Sequence, residues 1–471
     1  MVKRPAVSGK VGEIAGRFAG LSAGPGTVGL PNLVPWAWAA SEAVWAGIRL
    51  FSGLYTAPQV ARDPLRLHGL VTLPVFAVLG GVALYAAFRR SPRHEQYDAA
   101  DRSLLVCFVV LNLAALLWGL ALGNNKVLAV GDFYRLLVIA LTYGAVAATV
   151  PDRGGPRLLR AVFAVDVLAA VPRVPTYLCA IATGRFDQRH DPPSLLLFIF
   201  PVARLVTATR RRERMLWAAA SAVAIAVFLV TLNRTYWVIV LVTLVLVAAV
   251  LGVRRVAAAY GALLGALAAI ALVAAGPGMK VWPTAAHACG ARLAGLRRTT
   301  TSGTIDPAAG YDVSVRQRLA EPQWLRQEWG ERPTFWVWVL GFGNGAEYRI
   351  DPFASSYWAY AGSGFRMHYW HNIVCALLYR MGPVGIAGFV AFFGLHLAKA
   401  ARLLKSRSAK GDSLETPLVV LASLAAWALL GVTFAGTVLG SWELGIVLGA
   451  LHVEARKSRA AEACDVDPRG S

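Results

Sequence analysis

HYWHNIVCALLYRMGPVGIAGFVAFF, residues 368–393, is the stretch that decides how the rest of the chain is interpreted. It joins the polar pair His371–Asn372 to a long apolar run, which predicts that a hydrophilic loop ends and a membrane helix begins here. In one continuous helix, Gly382 would lie about three turns after His371 on the same face, with Gly385 close by. These glycines would leave a groove below the imidazole, filled either by another helix or by a lipid chain.

The composition predicts a polytopic membrane protein and excludes a soluble enzyme. Hydrophobic residues make up 57% of the 471-residue chain, charged residues make up 15%, and the mean hydropathy is +0.54. Apolar runs long enough to cross about 30 Å of hydrocarbon recur along the sequence. The 5 cysteines form no CxxC pair and no metal-binding spacing.

The apolar runs predict an all-α protein with about twelve transmembrane helices. Residues 1–30 form a basic tail, 31–276 hold helices 1–9, 277–370 form one large loop with short helices, 371–454 hold helices 10–12, and 455–471 form a second tail. The predicted spans are 31–54, 67–88, 103–122, 132–150, 159–182, 193–209, 215–232, 235–252, 256–276, 371–397, 417–434 and 437–454. The span at 31–54 is the weakest because it contains Glu42 and Arg49.

The basic residues predict the orientation of these spans. They cluster on every second loop, at 89–102, 153–160, 210–214, 254–255, 399–410 and 456–459. Because Lys and Arg concentrate on the cytoplasmic side, both tails are expected to be cytoplasmic and the loop 277–370 to lie outside. The net charge of +21 then reports membrane topology, and we do not expect a nucleic-acid partner.

Arginines and histidines collect at the predicted outer face. They are Arg234 in the turn 232–237, Arg316 and Arg318 in the large loop, and Arg366 and His368 just before His371. Guanidinium groups bind phosphate oxygens through paired hydrogen bonds, so the set suits a phosphate-bearing substrate in the membrane plane.

Other site types fit the outer face less well. No carboxylate pair with acid–base spacing is evident there, and the two histidines lack the further ligands of a metal site, so no metal is expected. The turn Gly341-Phe342-Gly343-Asn344-Gly345 follows no nucleotide-binding strand, which favours a tight connector over an anion-binding loop.

Charges within the apolar spans support a hypothesis of a different class. Arg135, Arg173 and Arg204 would line the path of a transporter or flippase, although Asp166 is also spaced to pair with Arg173. Arg380 is predicted to lie opposite His371 on its helix and so to serve another purpose.

At His371-Asn372, nine intervening residues and Gly382-Pro-Val-Gly385, the chain resembles the O-antigen ligase and polymerase superfamily of bacterial envelope glycosyltransferases. The family's pattern is H-[NSQ]-x9-G-x-x-G at the start of a span after the large outer loop. The turn Asn233-Arg234-Thr235-Tyr236-Trp237 is similar to the family's Ser-Arg-Gly-x-Trp, with Asn for Ser and Thr for Gly. The segment Arg318-Leu319-Ala320-Glu321 adds a supporting match.

The resemblance implies a GT-C-type architecture in the cytoplasmic membrane and glycan transfer from an undecaprenyl diphosphate carrier to an acceptor hydroxyl. It implies no cofactor, no metal and no nucleotide sugar. His371 would be the base, and Arg234, Arg318 and Arg316 would bind the diphosphate. Asn372, His368, Arg366, Gly382 and Gly385 would support the site, although Asn372 is equally suited to cap the helix.

The acceptor separates two versions of this activity. A ligase joins the glycan to a different molecule, such as a lipid-linked core, whereas a polymerase joins it to another repeat unit. Arg366 and Gly382 are separated by fifteen residues, a spacing known from some polymerases. With 45 glycines in the chain, that spacing does not decide between the two.

Overall fold

Long apolar runs fold as helices here because a helix satisfies its own backbone hydrogen bonds, as a membrane environment requires. The computed structural model describes residues 99–151, 154–170, 194–230, 234–274, 313–332, 334–349, 366–367, 370–410, 413–433 and 441–466. These residues form α1 (Ala99–Ala121), α2 (Lys126–Thr149), α3 (Gly155–Ala170), α4 (Leu196–Thr207), α5 (Arg211–Val230), α6 (Arg234–Leu251), α7 (Val253–Ala274), α8 (Val313–Glu331), α9 (Phe335–Leu340), β1 (Tyr348–Arg349), β2 (Arg366–Met367), α10 (Ile373–Lys410), α11 (Glu415–Thr433) and α12 (Trp442–Val466). The predicted helical membrane class is therefore confirmed, apart from one two-residue antiparallel ribbon in which Tyr348 pairs with Met367.

Four helices in the described residues are long and apolar enough to cross a membrane. The candidate spans are Ser103–Ala121, Lys126–Ala147, Val253–Leu272 and Ile373–Ala409, and shorter apolar helices lie at Leu196–Thr207, Thr235–Leu251 and Glu415–Gly431. The predicted spans 31–54 and 67–88 lie outside the described residues. Within the described residues, the structure thus supports four candidate spans and does not test the expected total of twelve.

Close packing between α2 and α12 forms one centre of the bundle. A Cβ atom at Gly445 would lie 2.7 Å from the Ile139 carbonyl oxygen, and one at Gly449 would lie 2.5 Å from the Val146 Cβ. Small residues are needed here because they let two helix backbones approach closely, which is how membrane helices gain dispersion energy. Helix α1 exposes a row of leucines and valines that includes Leu113 and Leu117.

Buried ion pairs connect helices that are distant in sequence. The Nε atom of Arg380 on α10 lies 2.8 Å from Asp132 on α2, and both side chains are buried. Arg204 on α4 donates to Glu415 on α11 over 2.6 Å, with the exposed Arg160 3.7 Å from the same carboxylate. Charges in an apolar interior need such partners, because an isolated charge there is strongly unfavourable.

Helix α10 is broken at Gly382, so the expected continuous helix from His371 is wrong. The helix begins at Ile373, and Gly382 has φ 64° and ψ −168°, outside the helical region. Pro383 follows and has no N–H to continue the hydrogen-bond ladder. A helix through all 37 residues of Ile373–Ala409 would be about 55 Å long, well beyond the hydrocarbon thickness. The break separates a first segment of about 14 Å from the long apolar segment that follows.

Candidate functional site

His371 lies just before α10 and is held by a carboxylate from the large loop. Glu321 of α8 places its Oε1 atom 2.8 Å from His371 Nδ1 and 2.7 Å from the His371 backbone nitrogen. The same carboxylate accepts a hydrogen bond from the Asn372 backbone N–H at its Oε2 atom, over 2.8 Å. Three donors therefore converge on one side chain, which fixes both the imidazole and the start of the helix.

This contact fixes the tautomer of the imidazole. A carboxylate oxygen accepts hydrogen bonds, so Nδ1 carries the proton that is donated to Glu321, and Nε2 is left with its lone pair. The Glu321 side chain is fully buried, with 0% exposure, whereas 24% of the His371 side chain is exposed. No described residue hydrogen-bonds to Nε2. The arrangement presents a positioned base to the surroundings, with its orienting carboxylate hidden behind it.

Asn372 caps the helix, which the sequence left open. Its Oδ1 atom accepts a hydrogen bond from the Val374 backbone N–H over 2.8 Å. The first N–H groups of a helix lack intrahelical partners, and Asn is among the residues that best satisfy them. The Asn372 backbone N–H is meanwhile bound to Glu321. Asn372 therefore fixes the helix start, and its Oδ1 atom is occupied by the cap.

Aromatic rings support the site from the protein interior. Trp370, next to His371, stacks on Tyr348 with ring centroids 4.0 Å apart, and Tyr348 also contacts Trp324 of α8 and Tyr379 of α10. Burial raises the pKa of the Tyr348 phenol, and the nearby charge of Glu321 raises it further, so the hydroxyl remains protonated. This cluster packs α8 against α10 on the buried side of the Glu321–His371 contact.

The predicted arginines are placed unequally by the structure. Arg318 lies three residues before Glu321 on α8 and is partly buried, so the two side chains leave neighbouring positions of one helix face. Arg316 lies on the same helix and Arg234 is the first residue of α6, but the side chains of both lie outside the described ones. Arg366 belongs to β2, and its side chain also lies outside the described ones, as does all of His368.

The Gly341–Gly345 turn is a structural wedge between α1, α2 and α10. Its three glycines have φ values of 71°, 79° and 80°, and a Cβ on any of them would lie within 2.7 Å of backbone atoms. The N–H groups of Phe342 and Gly343 donate to carbonyls of α10, that of Asn344 donates to Ala115 of α1, and that of Gly345 donates to Asp132. Since these N–H groups are occupied, the turn is a connector and does not form an anion-binding loop.

The two motif glycines pack against protein, and no groove remains beside them. A Cβ atom at Gly382 would lie 2.2 Å from the Val339 carbonyl oxygen of α9, and one at Gly385 would lie 2.2 Å from Met381 Cβ. The expected face shared by His371 and Gly382 does not form, because Gly382 is the point where α10 breaks. In this molecule the two glycines therefore allow close packing, and Gly382 also allows the backbone break.

Glu321 is a partner of His371 that the sequence motifs do not indicate. It belongs to the matching segment Arg318–Glu321, but nothing in that segment pairs it with His371. The signal that could have identified it is a glutamate three residues after a candidate phosphate-binding arginine, on a helix expected to lie beside His371. A buried carboxylate that orients a catalytic histidine is a recurrent arrangement.

The charges of the transporter hypothesis are engaged elsewhere or lie outside the description. Arg204 is bound to Glu415, and Arg173 is outside the described residues, as is the proposed pairing with Asp166. Asp166 instead accepts a hydrogen bond from Ser194 over 2.7 Å. Arg135 is partly buried on α2. Arg380, predicted to serve another purpose than His371, pairs with Asp132.

No protein-family model matches the chain, and no curated protein matches it either.

Proposed function

We propose that this protein is a membrane glycosyltransferase of GT-C-type architecture that acts at the outer face of the cytoplasmic membrane. In this proposal it transfers a glycan from an undecaprenyl diphosphate donor to an acceptor hydroxyl, like the O-antigen ligases and polymerases that its motifs resemble. The observation that carries the proposal is the His371 imidazole, oriented by the buried Glu321 and partly exposed at the start of α10.

The Glu321–His371 pair suits removal of a proton from the acceptor hydroxyl. As the acceptor oxygen forms a bond to the anomeric carbon, its proton passes to His371 Nε2. The bond between that carbon and the diphosphate oxygen breaks, and undecaprenyl diphosphate leaves with the bonding electrons. The positive charge that develops on the imidazole faces the Glu321 carboxylate 2.8 Å away, which lowers the energy of the charged form. Displacement in one step inverts the anomeric centre.

The leaving group needs charge stabilisation more than it needs protonation. Diphosphate is already a good leaving group, and guanidinium groups bind its oxygens with paired, charge-assisted hydrogen bonds. In the proposal, Arg318 supplies one such group from the helix that also carries Glu321. Arg234 and Arg316 supply the others, and Arg366 and His368 lie close to His371 in sequence and support the site. No metal or nucleotide cofactor enters the proposed reaction.

His371→Ala is the decisive test. We expect purified protein in detergent to transfer glycan from undecaprenyl-diphosphate-linked donor without any ion gradient, and His371→Ala to lower the rate about 10²–10⁴-fold. Glu331→Gln is the matched control, since Glu331 is an exposed carboxylate on the same helix as Glu321. Undiminished transfer by correctly inserted His371→Ala protein would overturn the proposal. Lipid transport in proteoliposomes without transfer would favour the flippase alternative.

The acceptor assay also separates ligase from polymerase. A ligase extends a lipid-linked core or another distinct acceptor by one glycan, whereas a polymerase produces a ladder of products from donor alone. The proposed chemistry at His371 is the same in both cases. The polymerase therefore remains the closest alternative to the ligase.

A further inference from the structure

Helix α9 carries the largest cluster of exposed aromatic side chains in the described part of the molecule. Phe335, Trp336 and Trp338 are 71%, 57% and 48% exposed, although α9 has only 6 residues. The same helix buries Val337, and Thr334 caps its start by accepting a hydrogen bond from the Val337 N–H. One face of α9 is thus held in the protein, and the other presents rings of a kind that proteins rarely leave in water.

The protein holds α9 at the end of a candidate membrane span. The carbonyl of Gly341, the residue after α9, accepts a hydrogen bond over 3.0 Å from the Trp118 Nε1 atom of α1. Helix α1 ends at Ala121, only three residues further on, and α2 begins at Lys126. The exposed apolar row of α1, which includes Leu113, Leu117 and Leu120, therefore leads up to the base of α9. The aromatic side chains of α9 are thus held at the end of a helix whose exposed residues are apolar enough to face hydrocarbon.

An exposed arginine also lies next to α9 in the chain. Arg332 is exposed, and its guanidinium carbon lies 5.6 Å from the centroid of the Phe342 ring. Tryptophan concentrates at the boundary between acyl chains and headgroups, and exposed arginines next to it interact with lipid phosphates. Exposed leucines, tryptophans and an arginine thus occur together in this part of the molecule, a combination typical of the boundary between hydrocarbon and headgroups.

We propose that Phe335, Trp336 and Trp338 form an aromatic anchor that inserts into the headgroup–acyl boundary of the bilayer. The partner is the lipid surface itself, with the rings among the upper acyl chains and Arg332 at the phosphate level. Val339 and Gly341 pack against α10 at its Gly382 break, so the anchor is fixed to that helix. The first segment of α10 then separates the start of the helix, next to His371, from the break by about 14 Å.

This inference is independent of glycosyl transfer, because it uses only the apolar spans and the exposed face of α9. A second copy of the chain would be a competing occupant of the same face. The continuity with the α1 row favours lipid, since a protein partner at this position would have to displace the bilayer that α1 faces.

Photo-cross-linking of the full-length protein in liposomes of phosphatidylcholine and phosphatidylglycerol tests the anchor. A diazirine-bearing amino acid is placed at position 336 in one variant and at position 335 in a second, so that misfolding of one does not end the test. Position 117, which is 58% exposed on α1, is the positive control, and position 323, which is exposed on α8 and distant in sequence from Arg332, is the negative control. Gel filtration selects folded protein before irradiation, and mass spectrometry identifies the adducts.

We expect phospholipid adducts at 336 and 335 in amounts comparable to those at 117, and no adduct at 323. Adducts at 117 but none at 336 or 335 would overturn the proposal. Cross-links from 336 to a second copy or to other residues of the same chain would also overturn it. Each result is read without an activity assay, so it stands apart from the outcome of the His371→Ala experiment.

Discussion

Two carboxylates in this molecule hold nitrogen-containing side chains at the same distance, yet they lie in different surroundings. Asp132 and Arg380 are 2.8 Å apart and almost completely buried, with exposures of 1% and 5%. Glu321 and His371 are also 2.8 Å apart, but the imidazole emerges from the protein while the carboxylate stays hidden. The first contact uses both charges to join α2 to α10. The second contact uses one buried charge to orient a group that remains accessible.

The difference teaches how to separate structural from functional charges in a membrane bundle. A buried charge whose partner is equally buried is explained by the need to avoid an isolated charge in an apolar interior. Structural need does not fully explain a buried carboxylate that orients an accessible, titratable ring. The start of the helix needs only a capping side chain, which does not have to be charged. The Glu321–His371 contact is therefore the one to test for function.

The largest effect is expected from Arg380→Ala. The substitution leaves Asp132 buried without its cation and should lower the free energy of unfolding by about 3–5 kcal/mol. Thermal unfolding in detergent, followed by circular dichroism, measures the loss. Asp132→Ala combined with Arg380→Leu removes both charges and should recover part of the stability. A single variant as stable as the natural protein would show that the pair is not a structural element.

Glu321→Gln tests the other side of the comparison. The amide can still accept the His371 backbone hydrogen bond, but it carries no charge to balance the imidazolium that forms during transfer. We expect the rate of glycan transfer to fall about 10²-fold. The loss of stability should be smaller than that in Arg380→Ala, because only the Asn372 N–H loses its acceptor. The measurement is turnover of lipid-linked donor by variants matched for folding.

Two further variants show whether the loss of activity in Glu321→Gln comes from the missing charge at that position. Glu321→Asp keeps the charge but shortens the side chain, and it should retain more activity than Glu321→Gln. Glu331→Gln, on the exposed face of the same helix, should leave the rate unchanged. A loss of stability in Glu321→Gln as large as that in Arg380→Ala would assign Glu321 to structure and remove the distinction drawn above.

The local features of the site could be predicted from sequence. His371–Asn372 marks a helix start because a polar residue before an apolar run supplies the missing hydrogen-bond acceptor, and the structure places the Asn372 cap there. The apolar runs likewise predicted helices, because their composition is readable within one window of about twenty residues. In these cases the signal and the structure lie in the same short segment.

The missed features depend on contacts between segments that are distant in sequence. Glu321 and His371 are separated by 50 residues, and Arg204 and Glu415 by 211. No periodicity connects such pairs, since periodicity reports only the face of a single element. The break at Gly382 was missed because a glycine in an apolar run is compatible with a continuous helix until the Val339 backbone is known to lie against it.

Gly343→Ala should lower the free energy of unfolding by less than Arg380→Ala does. The new Cβ would lie 2.4 Å from the Gly119 Cα atom, so α1 and the wedge would have to separate. We expect a loss of about 2 kcal/mol in unfolding free energy, from overpacking added to the strain of a positive φ. Gly123→Ala is the matched control, because its φ is also positive, at 76°, but its Cβ would meet no atom. Equal losses in the two variants would mean that backbone strain, and not the close approach, accounts for the effect.

The smallest effect should come from Arg160→Ala. Glu415 contacts two arginines, but Arg160 lies 3.7 Å away with 56% of its side chain exposed, whereas Arg204 lies 2.6 Å away and is largely buried. An exposed ion pair is screened by solvent, and immobilising its long side chain costs conformational entropy, so its removal should change stability by less than about 1 kcal/mol. Arg204→Ala should cost several times more, because it leaves the buried Glu415 with only the distant partner. The ratio of the two losses, measured by thermal unfolding in the same detergent, shows whether burial of the partner rather than charge alone determines which contacts hold this bundle together.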